Sequence, residues 1–201
     1  MCITIFILII GLAEGKIKSG MLKASKPTTL YQSETYVTAL AVNRKGTAIV
    51  SAHLDGSILT YTFDSDRGAQ LIARHSPSPY SLAWGNSIAV AGNDNQIIFY
   101  TEDGNIENSY DLSDRQDCHE YTCAVSNPTG DAIIFCNYDH LSLYGCNAQS
   151  MGWEELTSAR VDAMYSATAI DWKPGILYVA VYYICMYLLY TILYLYVSIY
   201  S

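Results

Sequence analysis

The chain has 201 residues, 51% of them hydrophobic and 15% charged, which excludes a disordered chain or a polyelectrolyte and gives room for one sizeable domain. Eleven Lys and Arg stand against 19 Asp and Glu, a formal charge of −8. An acidic surface repels phosphate, so nucleic acid is not expected as a partner, and no basic run offers itself to an anionic membrane.

The amino-terminal run "MCITIFILIIG" has the apolar length of a signal-peptide core, yet it lacks a positive leader and is followed by the charges of "LAEGK". Its Ile, Phe and Thr content favours a buried strand. "IIGLAEGKIKSGML" (9–22) then reads as strand, tight turn, strand. The stretch 36–64 extends that order: a strand, the turn Asn43-Arg44-Lys45-Gly46, a strand ending near His53, the turn Leu54-Asp55-Gly56, and a third strand. "GAQLIARH" (68–75) supplies a fourth, polar strand. The same order restarts at 80–113, with Gly85-Asn86 at the first corner, and again at 121–146, with Asn127-Pro128-Thr129-Gly130 there.

Two anchors keep this phase. The bulky residue closing the first strand falls at Val42, Trp84, Val125 and Trp172, intervals of 42, 41 and 47. The first apolar residue after the second turn falls at Ile17, Ile58, Ile97 and Leu141, intervals of 41, 39 and 44. A meander sandwich also has short strands at regular spacing, but four strands every 40–45 residues in coherent phase is the period of a WD-type β-propeller blade. We therefore expect an all-β fold, a WD40-type β-propeller that is incomplete: three complete blades plus two partial ones, at 3–34 and from "SATAIDWKPG" (166–175) onward. No Trp-Asp pair closes a blade, so the repeats are divergent. Gly15, Asp55, Gly56, Trp84, Asn95, Asp139 and Trp172 are the expected turn and blade residues. Asp or Asn accepts local backbone hydrogen bonds at such turns, and Gly or Asn tolerates positive φ.

Residues 1–175 are read as the partial propeller and 176–201 as an apolar, tyrosine-rich tail. No charge follows Lys173, and the 26-residue run holds eight tyrosines. Its length spans a bilayer, so a transmembrane helix is one reading of the tail; the tyrosines, however, are spread along it instead of gathering at two interfaces.

Six cysteines (Cys2, Cys118, Cys123, Cys136, Cys146, Cys185) sit mostly singly in apolar runs, the pattern of reduced thiols in a cytosolic protein. Cys118, Cys123, Cys136 and His140 form C-x4-C-x12-C-x3-H, close to a zinc-finger spacing. The repeat gives each another place: Cys123 on a first strand, Cys136 on a second, aligned with the small residues Ala52 and Gly92, and His140 in the following hairpin. They make a weak metal set, and no metal or cofactor is expected. His53 precedes a turn where hydrogen bonding is the expected role. No G-x-S-x-G elbow or phosphate loop occurs. Asp111, Asp114 and Asp117 lie in the polar loop 111–120, and Glu154-Glu155 form a further acidic pair; solvation accounts for both. Nothing here demands catalysis, and no aromatic hot spot stands out.

The segments "GLAEGKI" (11–17), "YVTALAVNRKGTAIVSAHLDGSI" (36–58), "PYSLAWGNSIAVAGNDNQIIFY" (79–100), "TCAVSNPTGDAIIFCNYDHL" (122–141) and "WEELTSARVDAMYSATAIDWK" (153–173) resemble, in order, the amino-terminal propeller of the intraflagellar transport 172 family. The resemblance reads Trp153-Glu154-Glu155 as part of a long inter-blade segment. It implies a large, non-enzymatic subunit of the intraflagellar transport B complex, acting in cilium assembly and axonemal cargo transport. Its partners would be other protein subunits of that complex, and its place the cilium and ciliary base, on the cytoplasmic side. The family also carries a second propeller and helical repeats, so the chain is expected to be a fragment, with 176–201 foreign to the family. The other reading is a small β-domain held in a membrane by 176–201. In either case no nucleic acid is expected, and a membrane only if that tail is a real span.

Overall fold

The computed structural model describes residues 7–21, 26–76, 78–115, 120–147, 152–160, 167–174, 176–181 and 193–197. Every regular element among them is a β-strand. The first sheet holds β1 (Ile7–Gly11), β2 (Lys16–Met21) and β3 (Thr28–Gln32). Three four-stranded antiparallel sheets follow. They are β4 (Val37–Val42) to β7 (Gln70–Arg74) by way of β5 (Ala48–His53) and β6 (Ser57–Thr62); then β8 (Pro79–Trp84), β9 (Ile88–Gly92), β10 (Gln96–Tyr100) and β11 (Ile106–Asp111); then β12 (Tyr121–Ser126), β13 (Ala132–Asn137), β14 (His140–Asn147) and β15 (Gly152–Arg160). A last sheet joins β16 (Ala167–Lys173), β17 (Ile176–Val181) and β18 (Leu193–Val197). Strands pair in chain order within every sheet, and the first strands β4, β8, β12 and β16 neighbour one another in succession. This is the expected propeller-type arrangement, three four-stranded units flanked by two three-stranded ones.

Alternation explains why the second strands are apolar throughout. Successive side chains of a strand point to opposite faces, and here both faces are covered. On β9, Ile88 and Val90 pack toward the second sheet with Val50, Ala52, Ile58 and Trp84. Ala89 and Ala91 pack the other way, with Phe99, Ile133, Phe135, Tyr144 and Trp153. On β13, Ile133 and Phe135 join that layer, whereas Ile134 and Cys136 face the last sheet with Ala167 and Leu177. Each inner sheet thus buries its faces against copies of itself, as stacked repeats must.

The layer between the third and fourth sheets is aromatic. Phe99 stacks on Trp153 with centroids 4.8 Å apart and planes 12° from parallel, and meets Phe135 edge-on at 6.2 Å. A polar chain runs through the same junction: the Trp153 indole N–H donates to Ser87 Oγ at 2.8 Å, and the Ser87 hydroxyl donates to Glu107.

Register confirms the second anchor. Gly11 faces Ile17, Ala52 faces Ile58, Ala91 faces Ile97 and Cys136 faces Leu141 across equivalent hairpins. The structural equivalent of Cys136 is therefore Ala91, not Gly92. A second correction concerns Trp153-Glu154-Glu155: these residues lie within β15, the outer strand of the fourth sheet, so they do not form an inter-blade segment. Trp153 is buried while most of the strand beyond it is exposed, and for that reason the run shows almost no apolar alternation.

Two ends of the stack differ from its middle. Leu8 and Ile10 occupy the positions of Ile49 and Ser51 one sheet later, yet they are 51% and 44% exposed where their equivalents are 1% and 0%. At the other end, the β16–β17 hairpin pairs Lys173 with Ile176 and so crosses the boundary drawn at 175; Leu177 is buried. The described part of the tail is extended strand. No helix among the described residues is long and apolar enough to cross a membrane, and residues 182–192 and 198–201, which belong to the run read as a possible helix, lie outside them.

Candidate functional site

Antiparallel pairing sets the start of each first strand beside the end of its second: Val37 faces His53 and Pro79 faces Gly92. The turns after the second strands therefore gather at one end of the sheets with the connections that enter the first strands. Gly15 (φ 79°), Gly56 (φ 84°) and Asn95 (φ 56°) all hold the left-handed conformation expected there. The fourth-sheet turn is one residue shorter, and the positive φ moves to Tyr138 (φ 47°) beside Asp139.

Asp55 ties this end together. Its Oδ1 accepts from the Ser57 amide (3.1 Å), the Ser57 hydroxyl (2.6 Å) and the Thr35 hydroxyl (3.1 Å), and Arg74 stands 3.6 Å from Oδ2. Burial works to raise its pKa, but the bonds from Ser57 and Thr35 and the Arg74 charge outweigh it and hold the carboxyl below its ordinary value. Asp139 does the same two sheets later, with His140 Nδ1 at 2.7 Å and Arg160 Nε donating at 2.6 Å. Trp84 and Trp172 lie near the far ends of their strands, away from these turns.

The same end exposes large side chains: Tyr36 (55%), Leu54 (41%), Tyr80 (39%) and Tyr138 (38%). Leu54 donates its amide to the Tyr36 carbonyl at 2.9 Å, so two of the four are adjacent. Surface-exposed tyrosines combine contact area with low ordering cost, as protein-binding surfaces require. Sequence inspection misses this group because each is a single residue at a strand start or turn; only the shared end of the sheets relates them.

The suggested metal set is brought together in part. Cys123 and Cys136 face each other across β12 and β13, but His140 is engaged by Asp139 and Cys118 lies outside the described residues. Among the described residues no group of three metal-binding side chains converges. His53 is fully buried, its Nε2 2.8 Å from Ser51 Oγ and its Nδ1 3.2 Å from the Thr35 carbonyl. Tyr31 donates to that same Ser51 at 2.7 Å, and burial pushes the Tyr31 pKa up to about 12 against the pull of this bond. The chain Tyr31–Ser51–His53–Thr35 crosses from the first sheet to the second, and its middle members Ser51 and His53 are fully buried, so it is a structural tie. Of the acidic residues, Asp111 caps the Ser113 amide at 3.0 Å, and Glu155 takes a two-pronged hydrogen bond from Arg115 at 3.1 and 2.5 Å.

The chain matches known proteins in sequence. The Chlamydomonas reinhardtii intraflagellar transport protein 172 is 39% identical over 173 residues, covering 83% of this chain and 10% of the relative. The chain is homologous to intraflagellar transport protein 172. The Homo sapiens intraflagellar transport protein 172 homolog is 36% identical over 172 residues, and the Caenorhabditis elegans intraflagellar transport protein osm-1 is 30% identical over 167. The chain spans about a tenth of the length of each of these intraflagellar transport relatives. No family profile matches it. In three dimensions, a chain of a mitotic checkpoint complex crystal structure superposes with a TM-score of 0.70 at 20% identity, covering 87% of this chain and 58% of that one; this likeness bears on the fold alone.

Proposed function

We propose that the chain is a non-catalytic protein-interaction segment of an intraflagellar transport B-type complex, acting at the cilium and ciliary base. The observation that carries this reading is the homology to intraflagellar transport protein 172 over 83% of the chain. The site geometry supports it: the polar chain from Tyr31 to His53 ties two sheets together, and the hairpin end exposes tyrosines suited to a partner. In this reading residues 1–175 form an arc of a propeller and 176–201 are foreign to the relatives, with Ile176–Val181 enlisted as a strand. Leu8 and Ile10 are then the face on which a preceding sheet of a longer protein would sit.

The experiment is expression of the tagged chain in ciliated cells, followed by imaging, alkaline carbonate extraction and affinity capture. The expected result is signal at the ciliary base, release by carbonate, and recovery of transport-complex subunits. Retention in the membrane pellet without those subunits would replace the scaffold with a tail-anchored protein.

A further inference from the structure

The cysteines that a zinc reading would group are instead arranged as a pair. Cys123 on β12 and Cys136 on β13 are direct Cα partners in the antiparallel register, just past a bulge at Thr122. Residues so opposed have Cα atoms about 4.5–5.5 Å apart, within the span a disulfide bridges. Both thiols are free, and they are hydrogen-bonded to each other. Cys136 is fully buried in the layer between the fourth and last sheets, against Ile134, Ala167 and Leu177, whereas Cys123 is half-buried at its margin. The equivalent positions in the two preceding sheets pair Ala39 with Ala52 and Ser81 with Ala91, so the repeat does not require sulfur here.

We propose that Cys123 and Cys136 form a reversible dithiol–disulfide pair, oxidised by a small disulfide such as oxidised glutathione. The Cys123 thiolate attacks one sulfur of the small disulfide, forming a mixed disulfide on Cys123 and expelling one glutathione thiolate. The Cys136 thiol then loses its proton and attacks Cys123 Sγ, closing the Cys123–Cys136 bond and expelling the second glutathione. Two cysteine thiols are oxidised, one small disulfide is reduced to two thiols, and no other reactant is needed. The order of attack follows from the site. The bond from Cys136 holds the Cys123 thiol below its ordinary pKa, the same bond and burial push Cys136 up, and only Cys123 lies at the margin of the layer. The bond formed would lock β12 to β13 at the layer on which the last sheet packs.

The test is to incubate the full chain with oxidised glutathione, block free thiols by alkylation, and map peptides by mass spectrometry, under native conditions and in urea. The expected native product is a dithiothreitol-reversible link between Cys123 and Cys136, in roughly tenfold or greater excess over any other pairing, because a fixed neighbour attacks intramolecularly. In urea that preference should vanish. Cys136→Ser should stop the reaction at a glutathione adduct on Cys123. Alkylation of both thiols in the native sample, or the same mixture of pairings with and without urea, would overturn the proposal. The wild-type comparison decides it even where the serine variant does not fold.

Discussion

Gly56 lies directly beneath His75: a Cβ built on it would stand 2.2 Å from the His75 carbonyl oxygen. The His75 amide in turn donates to the Gly56 carbonyl at 2.8 Å, so the turn after β5 is stapled to the chain leaving β7. Gly15 repeats this arrangement in the first sheet, where its Cβ would meet the Ser33 carbonyl oxygen at 2.4 Å. At Gly15 and Gly56 glycine answers two separate constraints, the left-handed φ and the close backbone approach, whereas Asn95 holds the equivalent place in the third sheet with a side chain.

Those two constraints can be separated. Gly46 has a φ of 68°, but a Cβ added there would meet nothing within 4 Å. Gly46→Ala should therefore cost only the left-handed strain, about 1 kcal/mol, whereas Gly56→Ala should cost about 3 kcal/mol because backbone must also move. Urea denaturation of the full chain, or proteolytic half-life where solubility limits the first, checks the order; equal losses would show that the close approach is not rigid.

Trp153 tests the aromatic junction. Trp153→Phe keeps most of the stacking on Phe99 but leaves Ser87 without its indole donor, for an expected loss of about 1 kcal/mol. Trp153→Ala also opens a cavity and should cost about 3–5 kcal/mol. The ratio of the two, read from denaturation midpoints, measures how much of the junction is packing.

Stability should fall as pH drops below 6.5. Burial lowers the pKa of both His53 and His75; at His75 the Asp94 charge 3.3 Å away opposes the effect without overcoming it. A lowered histidine pKa means that the unfolded chain takes up protons first, so ΔG of unfolding decreases with falling pH from 6.5 down to the folded values. The depressed carboxyls of Asp55, Asp131 and Asp139 add a second loss as they are protonated at still lower pH. Thermal melts between pH 7.5 and 5 should show the first slope, and His75→Gln should flatten it; an unchanged slope would place the proton uptake elsewhere.

Leu8 and Ile10 expose apolar surface on a face that other sheets cover. The isolated chain should bind a hydrophobic dye and scatter light, and Leu8→Lys with Ile10→Lys should reduce both. A longer protein that includes a preceding sheet should show neither behaviour.

Much of this architecture is legible in particular residues. Ile17, Ile58 and Ile97 are completely buried, and their spacing alone marks the repeat. The nearly unbroken apolar runs of β5, β9 and β13 likewise announce strands covered on two faces. β15 is not legible in this way, because an outer strand facing solvent beyond Trp153 needs no apolar pattern. Nor is the equivalence of Cys136 with Ala91, since a one-residue difference in turn length between the third and fourth sheets is settled only by pairing. The tyrosines of the hairpin end share no sequence pattern at all.

From its residues alone this protein was bound to make antiparallel hairpins of a given phase, because side-chain alternation and turn chemistry act over a few residues and carry their own signature. Which hairpins stack, which faces stay uncovered, and which two thiols meet were decided only in three dimensions. Those outcomes depend on register between strands and packing between sheets, and both are set by neighbours distant along the chain.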